Sequence, residues 1–224
     1  MCAPELAALR ERWLGAVTAA LRGDPVVVGV ALVGSLGAGT ADDWSDVDLL
    51  VVVADEYLDE YSTRLPSGPG RLVFEIDARH NGPVGTRAVS AQYVVDGLPL
   101  WVDWHIHPVS RATWPADSTV VFDRQGISQA SAALSEYRGE YEPATPKTLD
   151  EQDAMRLALV PIAGKQLARR SPETPRTIEF LGGTPETDWP DHLAALRELL
   201  NEFTNLDSLA AARAYLDLVE GTLG

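Results

Sequence analysis

Apolar positions at Leu6, Leu9, Trp13, Leu14, Val17 and Leu21 keep helical spacing between Pro4 and Arg22 and stop at Gly23-Asp24-Pro25. That pattern predicts an amphipathic leading helix. The period then changes. Val26 to Val33 and Leu49 to Val53 are continuous apolar runs, as expected of strands covered on both faces. Asp55 to Arg64 reads as a short helix, Pro66-Ser67-Gly68-Pro69-Gly70 as a loop and Arg71 to Ala78 as a strand. Ala88 to Val95 and Leu98 to Ile106 read as a hairpin, because the intervening Asp96-Gly97 favours a tight turn with positive φ angles. Thr119 to Phe122 reads as a closing strand and Ser128 to Arg138 as a helix.

The Pro-rich stretch Glu142-Pro143-Ala144-Thr145-Pro146-Lys147 marks a domain boundary, leaving one domain over residues 1–142 and a second over 143–224. The second domain is helical throughout. Thr148, with Glu151 three residues on, has the pattern of a capping box that opens a helix running toward Arg170, with Pro161 as a kink point. Further helices are expected from Trp189 to Phe203 and from Leu206 to Leu218, completing a small bundle. No internal repeat or low-complexity tract interrupts the chain.

With 224 residues and 46% hydrophobic content, the chain can bury a sizeable core in one or two domains. The longest apolar stretch falls far short of the ~20 residues that span a bilayer. The amino terminus lacks a basic region followed by a signal-like apolar core. No membrane partner is therefore expected, and a cytoplasmic setting is. The one cysteine, Cys2, permits no internal disulfide. A formal net charge of −15 argues against a nucleic-acid partner, since phosphate backbones are bound by clustered Lys and Arg. It would favour a cationic small molecule, although acidity also serves solubility.

The densest chemistry lies where the first apolar run ends and the second begins. Val33-Gly34-Ser35 closes one and Ser45-Asp46-Val47-Asp48-Leu49 opens the next. Residues i and i+2 of a strand point the same way, so Asp46 and Asp48 share a side. Two carboxylates held that close raise at least one pKa unless a cation sits between them, and their hard oxygens suit Mg²⁺. Gly34 lets backbone approach closely, while Ser35 offers a hydroxyl and an amide to an anion. Further along, Asp103 stands among Leu100-Trp101-Val102 and Trp104-His105-Ile106, where a carboxylate is costly to bury without a partner. His105 and His107 continue its period of two and could extend the site or be ordinary strand residues. No cluster of Cys and His supports zinc. Asp77 and Glu75 alternate on their strand, where an exposed face is the simpler account than an approach to the site.

In the run from Gly34 to Leu49, with Gly39 between, the chain resembles the nucleotidyltransferase superfamily of the DNA polymerase beta type, whose signature is Gly-Ser, a spacer and Asp-X-Asp. The run is similar to the motif of small nucleotidyltransferases and antibiotic adenylyltransferases. It departs at Ala38, where many small members carry an arginine. The resemblance implies an α+β fold, a mixed sheet with flanking helices, followed by a C-terminal helical bundle that completes the cleft. It also implies two Mg²⁺ ions, with Asp46, Asp48 and Asp103 as catalytic and metal-binding residues. Asp103 would hold the second ion or take the acceptor's proton. Gly34, Ser35, Ser45 and Lys165 are then assigned to the nucleotide. Lys165, four residues before Arg169, stands where a basic residue can steady pyrophosphate, a solvated helix face being the plainer reading.

The implied reaction moves a nucleoside monophosphate, AMP from ATP, to a hydroxyl of a small molecule, aminoglycoside-like or lincosamide-like. Transfer to a protein hydroxyl, as in toxin-neutralising nucleotidyltransferases, is the alternative within enzymes. A nucleotide-binding regulatory protein without catalysis is the alternative outside them. Related antibiotic-modifying enzymes sometimes share a site between chains, which leaves a homodimer open.

Overall fold

The computed structural model describes residues 3–66, 68–136, 141–185, 188–203 and 208–223. Helix α1, Ala3–Gly23, realises the leading amphipathic pattern, and Leu6, Leu9, Trp13, Val17 and Leu21 are all buried. Strand β1, Val27–Leu32, follows. The Gly-Ser turn is a four-residue helix, α2, Gly34–Gly37. Strand β2, Val47–Val53, comes next, and then a helical segment in two pieces, a 3-10 turn at Asp55–Tyr57 and α3, Leu58–Thr63.

Strand β3, Arg71–Asp77, precedes the hairpin of β4, Arg87–Val95, and β5, Leu98–Pro108. Its turn has φ of 50° at Asp96 and 81° at Gly97, the positive pair that an Asp-Gly dipeptide accepts most readily. Strand β6, Thr119–Asp123, closes the sheet against β1. The six strands lie in the order β3-β4-β5-β2-β1-β6, with β2 and β5 parallel and every other neighbouring pair antiparallel. This is a mixed sheet in an α+β chain.

Between Ser128 and Ala132 the expected helix is absent. That stretch runs extended beside Trp114 to Ala116, with Trp114 N–H donating to the Ser128 carbonyl at 2.9 Å and Ala130 N–H to that of Trp114 at 2.7 Å. Backbone pairing to a segment distant in sequence has overridden local propensity, leaving only a 3-10 turn at Leu134–Glu136. The end of the expected helix, at Tyr137 and Arg138, lies outside the described residues, as does Leu206.

The chain then becomes helical. Helix α4, Leu149–Ala168, opens on the expected capping box, Glu151 N–H donating to the Thr148 hydroxyl at 3.2 Å and Thr148 N–H to the Glu151 carboxylate at 3.2 Å. Pro161 is carried inside it. Helix α5, Thr174–Phe180, has no counterpart in the periodicity, though Pro175 in its first turn is a start signal. Helix α6, Trp189–Leu199, continues as a 3-10 turn, Leu200–Glu202, and α7, Leu209–Leu223, ends the chain.

Alternate side chains of the central strands feed two apolar clusters. Leu49, Val51, Val53, Val102, Trp104 and Ile106 join α1 and the C-terminal helices, represented by Leu157, Leu196 and Leu216, in one continuous core. Leu50 and Val52, on the opposite face, pack with Val28, Ala31, Val33, Trp114 and Leu134. Asp48 belongs to this second face, one step beyond the last apolar pair.

Candidate active site

Asp48 and Asp103 are register partners across the parallel β2–β5 pair, so their side chains leave the sheet on the same face. Asp46, two residues before Asp48, joins them electrostatically. Burial, and then the charges of Asp103 and Asp46, push the Asp48 carboxyl up to about 7. Burial likewise raises Asp46, against the opposing pull of Lys165. Asp103 is raised by burial too, with hydrogen bonds from Ser90 and Trp101 working the other way. Three carboxyl groups that resist simultaneous ionisation mark a place built to receive positive charge.

One such charge comes from α4. The Lys165 ammonium forms an ion pair with Asp46 Oδ2, its side chain only 12% exposed. Lys165 therefore stands in the constellation rather than on a solvated helix face. One turn later Arg169 donates from Nε to Asp42 Oδ2 at 2.9 Å and from Nη2 to Ser45 Oγ at 3.2 Å. The Arg169 guanidinium, foremost among its neighbours, holds the Asp42 carboxyl down at about 2. From the other side, buried Arg10 of α1 donates through Nη1 to the carbonyls of Asp42 at 2.9 Å and Ser45 at 2.8 Å. The loop leading into Asp46 is thus clamped by two guanidinium groups, one from α1 and one from the end of α4.

Gly34 adopts φ +58°, and a Cβ there would stand 2.5 Å from Asp48 Oδ2. Only glycine lets α2 lie so close to the carboxylate. Ser35 is half-buried at the head of α2, its carbonyl accepting from Thr40 N–H at 2.9 Å. Ser45 uses its hydroxyl inside the loop, donating to Asp42 Oδ1 at 2.9 Å and accepting from Asp42 N–H at 3.0 Å. It is a loop-shaping residue here as much as a prospective ligand contact.

The period of two places His105 and His107 on Asp103's face, opposite Leu50 and Val52 of β2. Both are buried, and among the described residues His105 Nδ1 and both His107 ring nitrogens have no hydrogen-bond partner. Burial lowers their pKa values to about 4 and about 3. They are neutral, core-facing side chains running away from the carboxylates. Glu75 and Asp77 register with Ala91 and Val89, which pair with Val102 and Trp104 on the face opposite Asp103. Asp77 is tied instead to Arg79 at 2.7 Å.

Several neighbours carry no signal in the sequence. His80, from the turn Arg79–Asn81, is near enough for its charge to favour ionised Asp103. Tyr215 of α7 stacks edge-on against Trp44 with ring centroids 5.5 Å apart, and burial and the Asp46 charge raise its phenol well above the ordinary value. Ser90 and Arg10 arrive through sheet register and helix packing.

The donor set, three carboxylates and no sulfur, suits a hard divalent cation. Among the described residues no three His, Cys, Asp or Glu side chains are spaced to hold a metal ion as they stand. An ion shared by Asp46 would have to take the place of Lys165. A surface hollow of about 560 Å³, lined by Gly182, Gly183, Asp191, Glu198 and Glu202, lies among the C-terminal helices. That hollow lies apart from Asp46, Asp48 and Asp103, whose carboxylates carry the titratable chemistry of the candidate site.

Residues 16–83 match the family described as nucleotidyltransferase domain. The matched span contains Gly34, Ser35, Asp46 and Asp48 and ends before Asp103. Among solved structures, the chain is similar to the STING-associated CdnE c-di-GMP synthase from Capnocytophaga granulosa, at 16% identity and a TM-score of 0.34, covering 98% of this chain and 81% of that one. No curated protein matches it in sequence. Among the described residues no helix is long and apolar enough to cross a membrane.

Proposed function

We propose that this nucleotidyltransferase domain moves AMP from ATP to a hydroxyl of a small molecule, with an aminoglycoside-like or lincosamide-like acceptor as the first class to test. The observation that supports the chemistry is the face-to-face register of Asp48 and Asp103, with Asp46 beside them and Asp48 pushed up to about 7. Such a group accepts cationic charge more readily than a second proton-free neighbour. The acceptor class rests on the net charge of −15 and on the family resemblance.

Asp46, Asp48 and Asp103 are the residues that would hold divalent cations. Bound Mg²⁺ would neutralise triphosphate charge and make the acceptor hydroxyl more acidic. Gly34 keeps backbone low enough for phosphate oxygens to approach Asp48's side of the cleft. Lys165, once released from Asp46, carries its ammonium to the leaving pyrophosphate. Arg10 and Arg169 keep the Asp42–Ser45 loop fixed while this happens. Asp103 either helps hold an ion or takes the acceptor's proton.

The test is to incubate the chain with Mg²⁺, each labelled nucleoside triphosphate and a panel of aminoglycosides and lincosamides, following pyrophosphate. Label on a small molecule supports this reading, and label on a protein redirects it to a protein acceptor. Triphosphate binding without turnover would indicate a regulatory nucleotide binder. Asp48→Asn should lower pyrophosphate release at least about a hundredfold, the scale of losing a group that acts in the transition state. Full activity in that variant would overturn the assignment.

A further inference from the structure

Asp103 differs from the other two carboxylates in what holds it. Asp46 is met by a cation, Lys165. Asp103 is met by two neutral donors. The Ser90 hydroxyl, directly opposite on β4, donates to Asp103 Oδ1. The Trp101 indole N–H, two residues back on the same strand face, straddles both oxygens at 3.3 Å each.

Ser90 is 7% exposed, between buried Ala91 and half-buried Val89 in a strand whose other polar side chains are Arg87, Gln92 and Tyr93, and its hydroxyl would be costly to bury without this acceptor. Trp101 is steadied in turn by Phe74 of the edge strand β3, ring centroids 6.1 Å apart at 30°. The two donors share Oδ1, while among the described residues Oδ2 receives only the long indole contact. A carboxylate pinned at one oxygen cannot rotate freely, and its less engaged oxygen keeps lone pairs for a ligand.

Resting on the nucleotidyl-transfer reading, we infer that Ser90 and Trp101 are positioning residues. They fix the Asp103 carboxylate so that Oδ2 is the oxygen offered to the reaction. Because both donors are neutral, they orient Asp103 without cancelling the charge that the site uses. Neither needs to touch substrate.

The experiment compares the parent chain with Ser90→Ala, Ser90→Thr, Trp101→Phe and Asp103→Asn. Steady-state pyrophosphate release and the melting temperature are measured for each. Manganese affinity is measured by electron paramagnetic resonance with a non-hydrolysable triphosphate present. Ser90→Ala and Trp101→Phe should each lower kcat about tenfold with the triphosphate KM within about twofold, the pattern of a misplaced reacting group. Ser90→Thr, which keeps the hydroxyl, should restore most of the loss. A purely structural role would lower the melting temperature and leave kcat per folded molecule unchanged.

If Asp103→Asn is inactive while Ser90→Ala and Trp101→Phe keep parental kcat and manganese affinity, positioning is overturned and nucleotidyl transfer stands. If the parent chain releases no pyrophosphate with any triphosphate, nucleotidyl transfer fails. Manganese affinity then decides alone: weakening in both variants with recovery in Ser90→Thr supports positioning, and parental affinity in both overturns it.

Discussion

At Gly34 two independent constraints meet in one residue. The backbone is left-handed, with φ +58°, and the missing Cβ would overlap the Asp48 carboxylate at 2.5 Å. Gly34→Ala therefore suffers twice. The left-handed conformation alone costs on the order of 1–3 kcal/mol in a residue with a side chain, and the methyl group must also displace Asp48. Urea denaturation should show a loss in that range, and pyrophosphate release should fall with it. An alanine variant with parental midpoint and rate would mean that the contact is slack. The Gly-Ser signal is legible in the sequence as a need for close approach. That the approaching group includes the site's own carboxylate is not, because Asp48 reaches Gly34 only after β1 and β2 pair. Ser45 shows the same limit: its motif position points to the nucleotide, while its hydroxyl is engaged with Asp42.

Along a single strand, the period of two makes Asp103, His105 and His107 share a face, and the face then assigns them different fates. Asp103 lies at the cleft end, whereas His105 and His107 sit beside Leu50 and Val52 in dry surroundings. Their folded pKa values, about 4 and about 3, lie below the ordinary 6.5. Unfolding below pH 6.5 therefore takes up protons, so stability present above 6.5 is lost as pH falls toward 4. Each histidine accounts for about 2 kcal/mol at pH 5 by linkage. Asp48 acts in the opposite sense: its pKa is raised from 3.8 to about 7, so its stabilising share is present below 3.8 and lost as pH rises through 7. The histidine effect is isolated by comparing His107→Leu with the parent in urea at pH 7 and pH 5. The variant should lose about 2 kcal/mol less on acidification, and parallel losses would show that His107 is hydrated or partnered in solution. Element types were legible where hydrophobic period and turn chemistry agreed, as in α1, the Asp96-Gly97 hairpin and the Thr148 cap. They failed at residues 128–132, where pairing with Trp114 decided the backbone. The β2–β5 pairing that unites Asp48 with Asp103 is likewise a long-range event that no local pattern encodes.

Over the whole molecule, a net charge of −15 surrounds a site whose nearest cations are Lys165, Arg169 and Arg10. The far field attracts cations and repels a triphosphate, while the near field does the reverse for the phosphates. Salt distinguishes the two, because screening shortens from about 10 Å at 0.1 M to about 3 Å at 1 M and removes the far field first. Raising ionic strength should therefore raise the acceptor's Michaelis constant without raising that of the triphosphate. For an aminoglycoside carrying several ammonium groups, KM should rise several-fold to about tenfold as steering is lost. For the triphosphate, KM should hold or fall, provided Mg²⁺ is kept saturating. A lincosamide, with a single amine, should show only a shallow rise, so the slope itself reports the acceptor's charge. Steady-state kinetics from about 0.05 to about 0.5 M salt, over which the screening length shortens about threefold, read all three slopes. An acceptor KM that ignores salt would show that the acidic surface serves solubility alone, and that recognition is confined to uncharged contacts within the cleft.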